Sequence, residues 1–226
     1  MELPKRLVDG YRAFVDNRLP VEISRFRTLA ATGQQPAVMI IGCCDSRVSP
    51  EVIFDAHPGE LFVVRNVANL VPPYSPTGLT HGVSAALEFA VQVLRVGHII
   101  VMGHSRCGGV RAFAEHRERP TRGDFIDNWM QLIAPAAASL ELGLNGGGDL
   151  TRLEQASVVM TLGNLMTFPW IQRRVRTGEL ELVGAYFDVA TGGLLAYDQT
   201  TGKFAPVSPV AAGSQEPLPA EPASGA

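Results

Sequence analysis

Two stretches decide the fold: Ala37-Val-Met-Ile-Ile-Gly-Cys-Cys-Asp-Ser-Arg47 and His98-Ile-Ile-Val-Met-Gly-His-Ser-Arg-Cys-Gly-Gly109. Each opens with an apolar, β-branched run that is too short for a confident helix and ends at glycine, the pattern of a strand buried on both faces. Each then passes directly into a polar cluster. Leu61-Phe-Val-Val64 reads as a third strand. Glu181 to Val189 reads as a fourth, followed by a turn at Thr191-Gly-Gly193 and an edge strand at Leu194-Leu-Ala-Tyr197.

Helical spacing fills the intervals. Val83, Ala86, Leu87, Ala90, Val91 and Leu94 recur on one face, which predicts a helix over residues 79–95 with Gly97 as its stop. A second helix is predicted from about Thr151 to Met166, and a third from Pro169 to Gly178. Strand and helix alternation of this kind makes an α/β fold: a mainly parallel central sheet of four strands plus an edge strand, with helices on both faces. Residues 1–33 form an N-terminal helical arm with amphipathic segments at Leu7–Asn17 and Ile23–Ala31, and residues 34–205 form the main domain. Pro206 to Ala226, with 15 Pro, Ala, Gly or Ser among 21 residues, reads as a disordered tail.

Composition narrows the function. The chain has 226 residues, enough for one sizeable core, and a net charge near −3 with no dense basic stripe, which argues against a nucleic-acid partner. No run approaches the roughly 18 apolar residues of a membrane span. The polar Met1-Glu-Leu-Pro-Lys-Arg6 opening adds to the expectation of a cytoplasmic protein. Three cysteines, Cys43, Cys44 and Cys107, are too few for a disulfide framework.

The cysteines matter through their positions. In an open parallel sheet, groups at the carboxyl ends of diverging strands face one crevice, so residues 43 and 104 can meet there. Cys43, His104 and Cys107 would then offer two thiolates and one imidazole, the ligand set of a zinc site whose fourth position is open to water. Spacing leaves open whether Cys43 or Cys44 is the ligand. Asp45 beside Arg47 would be held ionised and oriented, able to accept a hydrogen bond from hydroxide; alone, the pair would read as a helix cap and a surface ion pair.

Cys43-Cys-Asp-Ser-Arg47 and His104-Ser-Arg-Cys-Gly-Gly109 resemble the paired Cys-x-Asp-x-Arg and His-x-x-Cys motifs of β-class carbonic anhydrases. The likeness continues through Glu60–Asn69 and Gly82–Phe89 and covers about Gln34 to Asp188. The resemblance implies one Zn²⁺ per chain on Cys43, His104 and Cys107, with Cys44 variable and Asp45 and Arg47 as the catalytic dyad. It implies reversible hydration of carbon dioxide to bicarbonate and a proton, through attack by zinc-bound hydroxide that the dyad orients. It also implies a homodimer or homotetramer with each pocket at a subunit boundary. Gln34 matches the glutamine that reaches substrate across the dimer, Phe62 and Val67 the apolar wall, and Phe89 stands where a tyrosine is common. Some members have a second bicarbonate site built from a Trp, an Arg and a Tyr, which here correspond to Ile40, Arg65 and Phe187. Two of those three contacts are therefore missing. Two rival readings stand beside this one: a non-catalytic zinc or redox-thiol module that uses Cys43 and Cys44 in regulation, and, on the same scaffold, hydrolysis of CS2 or COS.

Overall fold

The computed structural model describes residues 3–77, 81–115, 125–140 and 147–207. The arm comprises α1 (Lys5–Ala13), a π turn at Phe14–Arg18 and α2 (Leu19–Thr32). Then follow β1 (Val38–Cys43), α3 (Pro50–Ile53), β2 (Leu61–Asn66), a 3₁₀ turn at Val67–Asn69, and α4 (Gly82–Glu88) with a π turn at Phe89–Val93. Next come β3 (His98–His104), α5 (Gly108–Glu115), α6 (Ile126–Met130), α7 (Ala134–Ser139), α8 (Gly147–Leu165) and α9 (Pro169–Arg176). The chain closes with β4 (Glu181–Phe187), β5 (Leu194–Asp198) and β6 (Lys203–Pro206).

The sheet runs β2-β1-β3-β4-β5-β6. The first four strands are parallel, and β5 and β6 turn back antiparallel. The expected strands are all present, and β6 is an addition. Its four residues include a proline and only half-bury Phe204, so it carries too little alternation to be read as a strand; proline is tolerated because β6 is an edge. Pro206 therefore belongs to the sheet, and the Val207 N–H donates to the Leu194 carbonyl at 2.9 Å. The rest of the expected tail lies outside the described residues.

Alternation on β1 divides the core between two layers. Met39 and Ile41 pack on one face with Leu87, Val91, Leu162 and Ile171, while Ile40 faces Met102 and Ala185 on the other. All three β1 side chains are fully buried, and each such burial contributes about 1.5–3 kcal/mol. Helix α8 lies directly over the sheet because β3 and β4 leave room for it. A Cβ at Gly103 would stand 2.6 Å from Val158 Cγ2, and one at Gly184 would stand 3.1 Å from Leu162 Cδ1.

Helix ends differ from expectation in two places. α8 begins at Gly147, four residues before Thr151, and the helix preceding β3 ends at a left-handed Arg95 (φ 56°) before Gly97 is reached. The Gly97 N–H instead donates to the Ala37 carbonyl and leads the chain into β3. The start predicted at residue 79 lies outside the described residues. Gly178 does stop α9, with a φ of 73°.

The arm contributes little to this core. α1 has no buried residue and α2 buries only Glu22, whose Oε1 lies 2.6 Å from His57 Nδ1. Arg25 adds an ion pair to Glu60 at 3.2 Å, and the Leu29 side chain packs on Gly59, so polar contacts and one apolar contact hold the arm to the loop before β2. Leu7 and Tyr11 are left exposed.

Candidate metal centre

β1 lies next to the edge strand β2 and has β3 on its other side, so the crevice of a doubly wound sheet opens where β1 and β3 end. Cys43 is the last residue of β1 and His104 the last of β3. The turn after β3 then brings Cys107 to the same place. The ligand-capable atoms of these three residues all lie within 4.8 Å of one another, and all three side chains are buried.

The donor set fits zinc. The two sulfurs are 4.0 Å apart; thiolates sharing a tetrahedral zinc, with bonds of about 2.3 Å, stand roughly 3.8 Å apart. His104 Nδ1 lies 2.9 Å from the Ser105 carbonyl, which can only accept, so this nitrogen donates. The other ring nitrogen, Nε2, is buried with no hydrogen-bond partner. A carbonyl partner of this kind is what fixes a metal-binding imidazole in orientation. The electrostatics favour a cation at the same point. The hydrogen bond from Cys107 lowers the Cys43 thiol pKa, and burial, which disfavours the imidazolium, is outweighed at His104 by the neighbouring Cys43 sulfur, leaving its pKa raised.

Asp45 and Arg47 flank the cluster as a fork. Asp45 Oδ1 accepts from the Arg47 backbone N–H at 3.0 Å and from Nε at 2.9 Å, and Oδ2 accepts from Nη2 at 2.6 Å. The guanidinium holds the Asp45 carboxyl well below the usual carboxylate range. Arg47 is itself anchored on the Arg106 carbonyl at 3.1 Å. Asp45 Oδ2 comes to 4.0 Å from His104 Nε2, so a carboxylate committed to its arginine stands beside the ligand atoms.

Residues 38–194 match the carbonic anhydrase family. The chain is 36% identical over 197 residues to β carbonic anhydrase 3 of Arabidopsis thaliana, covering 85% of this chain and 76% of that one. Its fold superposes on the β-carbonic anhydrase CcaA with a TM-score of 0.80 at 30% identity, over 91% of this chain and 92% of that chain. A crystal structure from work on two tetrameric β-carbonic anhydrases of Sordaria macrospora gives a TM-score of 0.72 at 31% identity, over 84% of this chain and 94% of that chain.

The chain belongs to the β-class carbonic anhydrases.

As a β-class carbonic anhydrase it is a lyase that uses zinc to hydrate carbon dioxide reversibly to bicarbonate and a proton. The residues expected around its substrate separate into two groups. Val67 follows β2 at the ligand end of the sheet and lines, with Cys44, Val83, Phe125, Trp129 and Leu132, an apolar groove of about 820 Å³. Gln34, Phe62 and Phe89 lie elsewhere. Gln34 precedes β1 at the end of the strand opposite Cys43, and Phe62 pairs in register with Met39, four residues before the Cys43–Asn66 pair. At about 3.3 Å per residue, that offset alone is roughly 13 Å. Phe89 packs on Phe62 with ring centroids 6.0 Å apart and remains partly exposed. All three residues thus lie toward the end of the sheet opposite Cys43, His104 and Cys107.

The structure accounts for Ile40, Arg65 and Phe187 as well. Ile40 is fully buried among apolar side chains, and Phe187 packs in the apolar cluster below the ligands. Arg65 donates to the Cys43 carbonyl at 2.8 Å and the Asp45 carbonyl at 2.6 Å, which braces the turn that carries both residues.

The sequence reading missed the residues that hold the second ligand turn. Ser105 Oγ donates to Asp188 at 3.0 Å, while Glu154 accepts the Cys107 N–H at 2.8 Å and the Tyr186 hydroxyl at 2.6 Å. Burial pushes the pKa of both Glu154 and Tyr186 upward. A signal for Glu154 exists in the sequence: it occupies the same α8 stripe as Val158, Leu162 and Leu165, where an acid is out of place. Cys44 is exposed, separated from the two buried cysteines. Cys44→Ser should therefore keep both zinc and turnover, since the exposed thiol stands apart from the buried donor atoms. Metal analysis with carbon dioxide hydration kinetics checks this, and loss of zinc would move the ligand role to Cys44.

Proposed function

We propose that Cys43, His104 and Cys107 are the zinc ligands, that Asp45 and Arg47 form the catalytic dyad, and that Val67 belongs to the apolar wall receiving carbon dioxide. The observation that carries the assignment is the buried, unpartnered Nε2 of His104 facing two buried sulfurs. When bound, zinc makes hydroxide available near neutral pH by lowering the pKa of a water from about 15.7 to roughly 7. The chain's own groups do the rest. Arg47 keeps Asp45 ionised, so the carboxylate can only accept; the nucleophile must point its hydrogen at Asp45 and turn a lone pair toward the substrate carbon. Val67 and its apolar neighbours suit an uncharged, nonpolar substrate and interact less well with bicarbonate, which favours product departure.

Gln34, Phe62 and Phe89 complete the pocket of a second copy in this proposal. Their distance from their own ligands, the partly exposed Phe89, and an arm that leaves Leu7 and Tyr11 exposed all support a homodimer or homotetramer with sites at the boundary. Residues 1–33 serve as the arm and 34–205 as the catalytic domain, extended by the ladder to Val207. The cytoplasm is the proposed location, supported by three free cysteines, and among the described residues no helix is long and apolar enough to cross a membrane.

Turnover per chain should fall as the oligomer is diluted to monomers, because each monomer keeps its ligands and loses the partner's Gln34 and phenylalanines. Stopped-flow hydration alongside mass photometry tests this; a monomer with full turnover per chain would contradict the shared site.

The pH response follows from Arg65, Ile40 and Phe187. Arg65 is committed to two carbonyls, and neither Ile40 nor Phe187 can donate a hydrogen bond to an anion. Asp45, with its pKa lowered, stays ionised as pH falls through the ordinary carboxylate range and keeps its arginine. The rate should therefore decline below neutral pH as one titration, with bicarbonate acting only as competing product. Measuring kcat/KM against pH at several bicarbonate concentrations checks it. A slope steeper than one proton, or sigmoid inhibition by bicarbonate, would overturn it.

A further inference from the structure

The turn carrying Cys107 is strained and braced. Arg106, immediately before the cysteine, adopts a left-handed φ of 59°, a conformation that non-glycine residues keep only when their surroundings enforce it. Ser105 is held from one side: its N–H donates to the Phe187 carbonyl at 2.9 Å and its hydroxyl to Asp188. Cys107 is held from the other side by Glu154 Oε1 at 2.8 Å.

Glu154 is an unusual choice for a packing position. Its residue is only 2% exposed, and among the described residues no Lys or Arg pairs with it. A buried carboxylate without a cation persists only through its hydrogen bonds. Each oxygen has one here: Oε1 takes the Cys107 N–H and Oε2 takes the Tyr186 hydroxyl at 2.6 Å. The approach of α8 that brings the carboxylate so close depends on Gly103, the residue before His104, where any Cβ would collide with Val158. An apolar side chain would fill the same space and leave the Cys107 N–H without this acceptor.

We propose that Glu154, oriented by Tyr186, is a positioning residue for zinc: its carboxylate clamps the Cys107 turn so that the sulfur meets Cys43 Sγ and His104 Nε2 at one point. Tyr186 fixes the carboxylate, the carboxylate fixes the backbone, and the backbone places the sulfur. This rests on Cys107 being a ligand, as proposed above.

The test is zinc affinity, measured on the full-length protein by competition with a chromophoric chelator, together with the sulfur-to-metal charge-transfer bands of the cobalt-substituted protein. Glu154→Met fills the same volume without an acceptor and should weaken zinc about 10–100-fold, the range usual for partners that orient a ligand, with shifted cobalt bands. Glu154→Gln keeps an acceptor oxygen and should stay within a few-fold of wild type, with unshifted bands. Wild-type affinity in Glu154→Met overturns the proposal, and so does a loss in Glu154→Gln as large as in Glu154→Met. If Glu154→Met does not fold, Tyr186→Phe replaces it: weaker zinc binding is expected, and unchanged affinity overturns the clamp. Cys107→Ser in the same assay separates the two claims. Full zinc in that variant defeats the ligand assignment, whereas zinc lost there and retained in Glu154→Met defeats only the positioning role.

Discussion

Asp45→Asn should retain one zinc per chain and lose about 10–100-fold in kcat/KM, the range seen when a partner outside the metal ligands is removed. The zinc half follows from geometry. Asp45 hydrogen-bonds to a ligand residue only through its backbone N–H, 3.4 Å from Cys43 Sγ, and the substitution leaves that group in place; its carboxylate stands no closer than 4.0 Å to His104 Nε2. The turnover half follows from hydrogen-bond polarity. Oδ2 accepts from Arg47 Nη2 at 2.6 Å, and an amide nitrogen in that place would set donor against donor. Flipped, the amide nitrogen would instead face the Arg47 backbone N–H and Nε, so neither orientation fits; the side chain must swing away, and the lasting acceptor beside the ligand atoms is lost. Arg47 is nearly half exposed, so the fork adds little to folding stability and the melting temperature should barely move. Wild-type hydration by this variant would make the fork structural.

A larger loss is expected for Cys107→Ser, which should remove zinc and activity together. Its sulfur is buried, 4.0 Å from the other thiol. A serine hydroxyl is not ionised near neutral pH, so the cation loses one of two charged ligands. The effect should exceed the roughly 10–100-fold associated with orienting partners. Zinc content and stopped-flow hydration on the same preparation read both consequences. Stoichiometric zinc in Cys107→Ser would show that the cluster is not the metal site.

How much of this was legible in the sequence depended on the range of the interaction concerned. The strands ending at Cys43 and His104 could be read because buried parallel strands are continuous apolar runs, and the switch-point rule alone brought two clusters 61 residues apart into one crevice. Asp45 and Arg47 were legible because they are two residues apart. β6 was not, since four edge residues with a proline carry no pattern, and neither was the end of the helix at Arg95, where β3 pairing and the Ala37 carbonyl set the exit. Glu154 was overlooked for a different reason. It lies 47 residues from Cys107, and only the glycine-lined seat of α8 on β3 brings its carboxylate within hydrogen-bond reach. Phe62 and Val67 were picked out as one wall by resemblance, but the register of β2 against β1 divides them between opposite ends of the sheet.

X-ray absorption at the zinc edge of the purified protein tests the central assignment most directly. Cys43, His104 and Cys107 should give two sulfur scatterers at about 2.3 Å and one imidazole nitrogen at about 2.0–2.1 Å, with one further light atom completing four-coordination. A shell with no sulfur, one sulfur or four sulfurs would contradict the account.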